Sequence, residues 1–473
     1  MKNRIYIKNL KDFVGQEVII AGWVDVRRDQ GKLVFMDMRD MTGLVQCVIL
    51  PNHSEAMEQV KEVRTEWVLN IKGIINKRPE RNIKEGVLNG DIELEITNME
   101  ILNKANTPNF DVTSDGKEIG EESRLKYRYL DLRRPRMQKN IRNRHHVAKF
   151  VRDFLDRENF IEIETPILTK STPEGARDFI VPSRLYQGTF YALPQSPQQY
   201  KQLLMASGME KYFQIARCMR DEDTRGDRQP EFTQLDMEMS FVEKEDVMEV
   251  NERLLIELVT KLYPHKKIQE IPFPRITYKD AMEKYGNDRP DVRTDKNDPD
   301  SLAFCWIIEF PFFERTDKSD NPNTEGEWTF THNPFSEPIK EHKEWLLEGK
   351  NLGNILTTQY DITLNGYEIG GGSIRAHQAE TLHKVLNIIG HKDDDIERNF
   401  GHMLNAFQSG TPPHGGIAWG FDRLIMLLEN EPNIREVIAF PKTGEGKDLM
   451  MESPSSVSDK QLKELGISIN KKN

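Results

Sequence analysis

The sequence predicts an α+β protein: a small N-terminal β-barrel, then a larger part in which antiparallel strands alternate with amphipathic helices. Three observations carry this. Five strand-like segments with short turns fill residues 15–102, with one helical pattern after the third, which is the order of an OB barrel. Residues 103–123 are polar, with Pro and Gly and little periodicity, as a linker is. Residues 194–241 then read as helix, strand, charged loop and return strand, with strict period-two alternation in the last.

Bulk properties bound the rest. A chain of 473 residues suggests two or three domains, and 37% hydrophobic residues support a sizeable core. The net charge of −11 argues against polyanion binding driven by overall charge. Residues 1–105 hold 16 basic and 16 acidic side chains, so that part is neutral and any nucleic-acid contact rests on local patches. Cys47, Cys218 and Cys305 form no CxxC pair, which points to a reducing compartment without a disulfide framework or zinc site. No apolar run suits a membrane helix and no signal peptide is seen, so the expected location is cytoplasmic.

In chain order, barrel strands are expected near 17–26, 32–37, 43–50, 67–75 and 91–101, with a helix at 54–64. Such barrels bind single-stranded nucleic acid, with aromatics stacking on bases. The candidate surface is Arg27, Arg28, Phe35, Gln46, Arg78 and Glu93; the same residues also suit a small barrel with ordinary surface polars. The expected domains are 1–103, a hinge over 104–137, and 138–473. The basic run 124–136 suits either a phosphate backbone or a solvated surface. Val147, Val151, Phe154 and Leu155 follow helical spacing over 138–158, leading into an alternating strand at 160–166. His145 and His146 read as surface residues.

In the stretch 194–241, Ser196-Pro197 opens a helix that carries Gln198 and Lys201 on one side. A strand leads to Arg220. Seven of the eleven residues 221–231 are charged. The return strand sends Leu235, Met237, Met239 and Phe241 one way, and Phe232, Gln234, Asp236 and Glu238 the other. That polar face is expected to be wet, a bed for a planar, phosphate-bearing ligand.

Further along, YDITLNGYE (360–368) is a hairpin with an Asn365-Gly366 turn. In a regular register Thr363 opposes Glu368 and Asp361 opposes Gly370, which puts Asp361 and Glu368 on one face. Two such carboxylates suit magnesium, though a solvated acidic pair has the same pattern. Gly370–Gly372 permits close backbone approach. TPPHGGIAWGFDR (411–423) reads as a Gly-rich turn opening a buried helix that carries Arg423. There is no GxxxxGK[ST] loop and no GxGxxG fingerprint, so any ATP site uses another device.

These pieces together resemble the class II aminoacyl-tRNA synthetases, and specifically the bacterial-type aspartyl-tRNA synthetases. FIEIETP (160–166), the Arg220-Asp-Glu222 strand with its loop and Phe232, and GFDR (420–423) are the three class II signatures in family order. STPEGARDF (171–179), LPQSPQQYKQLL (193–204), NGYEIGGGSIR (365–375) and GTPPHGG (410–416) are more specific still. The match covers nearly the whole chain. It implies a class II catalytic domain, an antiparallel sheet of six or seven strands flanked by helices, and a homodimer through residues 138–166. It implies L-aspartate, ATP and tRNA as substrates, magnesium on the phosphates, and no role for DNA or membrane.

The resemblance also assigns residues. Arg220 grips the α-phosphate, Glu222 holds the adenine amino group or neighbouring hydrogen bonds, Phe232 stacks under adenine, and Arg423 lies on the other side. Asp361 and Glu368 hold magnesium. Glu174, Ser196, Gln198, Gln234 and His332 line the aspartate pocket. Lys201 and Arg375 pair with the substrate's side-chain carboxylate, and Asp236 orients Lys201. In the barrel, Phe35, Gln46 and Glu93, with Arg28 and Arg78 beside them, face the anticodon. Two cations select aspartate over asparagine, because an amide leaves them unpaired.

Two departures from the family stand out. Only residues 294–303 lie where the family usually carries an inserted domain. The family's His-His-Pro-Phe run is His332-Asn333-Pro334-Phe335 here. Asn333 donates a hydrogen bond but cannot be cationic. The expected activity is aspartate–tRNA ligation. The alternatives are a form that also charges tRNA(Asn), a choice that Gln30 before Gly31 influences, and, remotely, a non-aminoacylating paralogue acting as an amide ligase or tRNA-binding module.

Overall fold

The computed structural model describes residues 3–171, 175–316 and 327–470. The chain divides into two compact units, one of residues 1–120 with 129–135 and one of 121–128 with 136–473.

The first unit contains a closed barrel. Its strands β1 (Glu17–Gln30), β2 (Leu33–Asp40), β3 (Gly43–Ile49), β4 (Val68–Lys77) and β5 (Ile92–Asn103) join in the order β1-β2-β3-β5-β4. Helix α1 (Ser54–Val60) lies between β3 and β4 in sequence, as the periodicity predicts. Alternation fixes the core: Val34, Met36 and Met38 of β2 point inward with Cys47, Leu69, Ile71 and Leu94. Arg27 departs from expectation. Its guanidinium folds back to Asp29 and to the Val63 carbonyl (2.8 Å), so it braces the barrel.

The second unit is built on an eight-stranded sheet. Helix α2 (Pro135–Arg157) buries Val147, Val151, Phe154 and Leu155 against it. In chain order the sheet strands are β6 (Ile161–Glu162), β7 (Lys211–Met219), β8 (Glu231–Ser240), β9 (Arg275–Thr277), β10 (Phe304–Ile308), β11 (Tyr360–Leu364), β12 (Tyr367–Ile374) and β13 (His414–Gly420). They lie side by side as β9-β10-β11-β12-β13-β8-β7-β6. The six central strands are antiparallel; the short edge strands β6 and β9 pair in parallel. The expected strand at 160–166 shrinks to Ile161–Glu162, with one further backbone bond from the Ile163 N–H to the Phe213 carbonyl (3.1 Å).

Three further expectations change. Within 104–137 there are two short helices, Glu121–Lys126 and Arg128–Asp131. The basic run there is neither a phosphate patch nor a solvated face. Arg124 is buried against Glu436 (2.7 Å), Arg128 donates to the carbonyls of Ile438 and Ala439, and Arg136 pairs with Glu431 and Glu436. In the other unit, Arg134 is buried on Asp131 (2.7 Å) and Arg133 reaches Glu66. The Gly-rich run 415–420 is strand β13, and the helix that follows, α3 (Phe421–Leu428), is buried as expected.

At 294–303 the chain makes a short tie. Lys267–Ile268 pairs in parallel with Ser301–Leu302. The mostly buried Lys266 ammonium donates to the carbonyl of Pro299 (3.1 Å) and to Asn430 (2.9 Å). No helix among the described residues is long and apolar enough to cross a membrane.

Candidate active site

The polar face of β8 is not wet. Phe232 is half-buried, and Gln234, Asp236 and Glu238 are buried, the last two at 0% exposure. The helix Gln198–Ala206 lies over this face, in contact with β7 and β8. Its N-cap is Pro197, and the Ser196 hydroxyl accepts from the Gln198 N–H (3.3 Å). One helical turn on, Lys201 points down into the sheet. Its ammonium lies 2.7 Å from Asp236 Oδ2 and 3.2 Å from Glu238 Oε2. Arg375, just beyond β12, is 2% exposed and grips Glu238 through Nε (2.8 Å) and Nη2 (3.1 Å). Burial pushes the Asp236 carboxyl up despite Lys201. Burial acts on Glu238 in the same direction, but Arg375 and Lys201 outweigh it and hold that carboxyl down at about 2.

Lys201, Asp236 and Arg375 line a cavity of about 330 Å3 with Ser196, Gln198, Gln234, His332 and Asn333. Gln198 Nε2 and Asp236 Oδ1 are buried there without a hydrogen-bond partner, a donor and an acceptor left for a ligand. Glu174 lies outside the described residues.

A second cavity, of about 470 Å3, opens from the first and shares Arg220, Glu222, Gln234, His332, Glu368 and Ala418 with it. The Arg220 guanidinium lies 5.2 Å from the Phe232 ring centroid. Arg423, in the first turn of α3, pairs with Asp227 (3.0 Å) and donates to the Glu368 carbonyl. The two arginines of one cleft thus come from the residue after β7 and from α3, about 200 residues apart in sequence.

Asp361 and Glu368 line the smaller cavity. Their hairpin is not regular. Asn365 and Gly366 both have positive φ, as a type I′ turn needs, but a β-bulge at Ile362/Thr363 pairs Asp361 with Gly371, not Gly370. A Cβ on Gly371 would lie 2.7 Å from Asp361 Oδ1, so glycine there leaves room for the carboxylate. Asp361 is 2% exposed, accepts from Gln359 Nε2 (2.7 Å), and lies 3.6 Å from His332 Nδ1. Burial, with Glu368 adding to it, pushes its carboxyl up to about 7 despite His332. A buried carboxylate beside a second acid fits a hard divalent cation completed by phosphate oxygens. Among the described residues no group of three or more His, Cys, Asp and Glu forms a metal cluster.

In the barrel, Arg28, Phe35, Gln46 and Arg78 line one cavity of about 410 Å3, with Gln30, Arg81 and Lys84. Glu93 joins them through Gln46 (3.2 Å). Arg78 is mostly buried, with its Nε on the Ile92 carbonyl (2.8 Å), whereas Arg28 pairs with Asp37.

Sequence reasoning passed over three residues here. Glu238 shares its face with Asp236, so the alternation already marked it. Asp227 and Gln229 lie in the charged loop, whose folding no periodicity reports. Gln229 is buried in the larger cavity with Nε2 unpartnered.

Comparison with known proteins bears on the whole chain. The family described as tRNA synthetases class II (D, K and N) matches residues 120–444, and the OB-fold nucleic acid binding domain matches 18–102. The asparaginyl-tRNA synthetase of Pyrococcus horikoshii complexed with asparaginyl-adenylate superposes with a TM-score of 0.74 at 22% identity, covering 94% of this chain and 99% of that one. A putative aspartyl-tRNA synthetase from Leishmania major Friedlin gives 0.72 at 20% identity, covering 93% and 94%. Fold and cleft define a class II aminoacyl-tRNA synthetase.

Sequence relatives narrow this. The Aspartate--tRNA ligase of Geobacillus kaustophilus is 39% identical, over 96% of this chain and 97% of the relative. The Aspartate--tRNA(Asp/Asn) ligase of Natranaerobius thermophilus is 40% identical over all of both chains. The chain belongs to the aspartate–tRNA ligase family. That second alignment runs over 598 positions against 473 residues here, so the relative has residues with no counterpart in this chain.

Proposed function

We propose that the protein activates L-aspartate with ATP and transfers the aspartyl group to tRNA(Asp). The observation that carries this is the single cleft in which two buried cations, Lys201 and Arg375, lie beside a nucleotide-sized cavity, with Arg220 common to both. In the first step an oxygen of the aspartate α-carboxylate attacks the α-phosphorus of ATP. The bond from that phosphorus to the bridging oxygen breaks and diphosphate leaves. In the second step a hydroxyl of the tRNA terminal ribose attacks the carbonyl carbon, loses its proton, and AMP leaves.

Such chemistry needs placement and charge neutralisation more than a protein nucleophile. Arg220 takes the α-phosphate. Phe232 and Arg423 sandwich adenine, and Glu222 and Gln229 meet its edge. Lys201 and Arg375 take the side-chain carboxylate. Asp236 Oδ1 and Gln198 Nε2, with Ser196, Gln234 and Glu174, take the ammonium and α-carboxylate. Asp361 and Glu368 would hold magnesium, which when bound neutralises the phosphates. Phe35, Gln46 and Glu93, flanked by Arg28 and Arg78, read the anticodon. Ile161 is 50% exposed in the edge strand β6, which supports a homodimer through residues 138–166.

Aspartate-dependent ATP–diphosphate exchange tests this reading; its absence with the wild-type chain overturns it. A second reading, charging of tRNA(Asn) as well, is favoured by relatives named Aspartate--tRNA(Asp/Asn) ligase; Gln30, which lines the barrel cavity, does not decide between the two. Charging both tRNAs side by side separates the two.

A further inference from the structure

We infer that Glu238, which does not line the substrate cavity, is the positioning residue that sets aspartate selectivity by clamping Lys201 and Arg375 to a common point. This rests on the aspartate reading above. Both cations of the pocket converge on this one carboxylate. Oε2 lies 3.2 Å from the Lys201 ammonium, and Oε1 and Oε2 take Nε and Nη2 of Arg375 at 2.8 and 3.1 Å. Asp236 touches Lys201 but is not within ion-pair distance of Arg375. Glu238 therefore fixes the separation of the two cations, and a carboxylate bridging both requires that separation.

The surroundings hold Glu238 in turn. It is opposite Gly416 in the β8–β13 ladder. A Cβ on Gly416 would lie 2.2 Å from Glu238 Oε2 and 2.0 Å from the Met237 carbonyl. This gives the His-Gly-Gly run at 414–416 a reason: strand β13 needs glycine where the carboxylate packs. The Gly416 carbonyl accepts from Arg375 Nη2 (3.2 Å) and from the Tyr360 hydroxyl (3.0 Å), and Ser373 Oγ takes Arg375 Nη1 (2.9 Å). Arg375 thus has a partner on every nitrogen before substrate arrives. Two cations face two carboxylates, so each buried charge of the Lys201, Arg375, Asp236 and Glu238 cluster has an opposite partner. Burial would raise the Glu238 carboxyl, but the two cations keep it ionised, as the clamp requires.

Glu238→Gln is nearly isosteric and puts one amide against two cations. Positioning and bulk electrostatics then predict opposite signs. Loss of the clamp raises the KM for aspartate by roughly tenfold or more and narrows the preference for aspartate over asparagine, with the KM for ATP within about twofold. Simple removal of a repulsive negative charge lowers the KM for aspartate. The test is ATP–diphosphate exchange with purified full-length protein, varying each substrate, with asparagine as competitor. A fall or no change in aspartate KM, or a parallel rise in both KM values, overturns the inference. Should Glu238→Gln not fold, Glu238→Asp decides: it keeps the charge but withdraws it by one methylene, and must show the same split between substrates. Wild-type exchange with aspartate is measured first, so failure of the functional reading and failure of the clamp are distinct results.

Discussion

Lys201 shows how little freedom a single residue has in this site. It is 2% exposed, and Asp236 and Glu238 are its charge partners. Lys201→Met removes one cation, leaving Glu238 with Arg375 and the buried Asp236 carboxyl without an ion-pair partner. Breaking such a pair costs about 3–5 kcal/mol. We expect a lower melting temperature and an aspartate KM higher by about 10²-fold, with ATP binding largely retained. Exchange kinetics that vary each substrate check this, and an unchanged aspartate KM would refute the assigned role. Asp361 makes a pH-dependent prediction. Its carboxyl is raised to about 7 by burial, whereas an ordinary aspartate titrates near 3.9. A cation binds the deprotonated form, so apparent magnesium affinity falls as pH drops below about 7, by up to roughly tenfold between pH 8 and 6. For stability the sign is reversed: ionising Asp361 inside the fold is costly, so its contribution is lost as pH rises through about 7 unless a cation is present. Magnesium titrations of wild type and Asp361→Asn at the two pH values compare these directly, because titration of ATP is common to both. Equal pH dependence in the two proteins would rule Asp361 out.

At the scale of elements, the basic segment after the barrel is held by the far end of the chain. Glu436 accepts from Arg124 at 2.7 and 3.0 Å and from Arg136 at 2.9 Å. Burial would raise its carboxyl, but Arg124 and then Arg136 outweigh burial and hold it at about 2. Because the folded value lies below the unfolded one, the stabilisation is complete above about pH 4.3 and is lost as pH falls towards 2. Glu436→Gln should cost about 3 kcal/mol at neutral pH and flatten the acid limb of the stability profile. Urea midpoints between pH 7 and 3 measure both, and parallel acid limbs would count against the network. The same network shows what periodicity reveals and what it hides. The run 124–136 suits a phosphate backbone or a solvated surface because the acidic partners of Arg124 and Arg136, Glu431 and Glu436, lie about 300 residues away, beyond any local pattern. The barrel was legible strand by strand, since each strand alternates over a single closed core. The alternation of β8 placed Phe232, Gln234, Asp236 and Glu238 on one face correctly. It could not show that a helix covers that face, so an expected wet surface became the most deeply buried charge cluster of the site. The β-bulge at Ile362/Thr363 escaped for a similar reason: one extra residue, Ile369, goes into the core and leaves the hydrophobic pattern intact. Arg220, Lys201 and Arg375 were legible as a site through family motifs, not through spacing.

For the whole molecule, the division into two units implies that adenylate formation and tRNA selection separate experimentally. Every residue proposed for the first chemical step lies in the second unit, and every residue proposed to read the anticodon lies in the barrel. Within the barrel these proposed readers differ in kind. Phe35 offers a ring face, and stacking on a ring is worth about 1–3 kcal/mol per base whatever the base. Gln46 and Glu93 are hydrogen-bonded to each other and present donor and acceptor atoms, which distinguish bases by their edges. Phe35→Ala should therefore leave aspartate-dependent exchange unchanged and raise the tRNA KM roughly tenfold, to the same extent for tRNA(Asp) and tRNA(Asn). Gln46→Ala and Glu93→Ala should instead alter the ratio of the two charging rates, again with exchange intact. Side-by-side charging of both tRNAs by the three variants decides it. A shifted ratio for Phe35→Ala would mean that the ring itself reads sequence. A constant ratio for Gln46→Ala and Glu93→Ala would mean that selection between the two tRNAs lies elsewhere in the molecule.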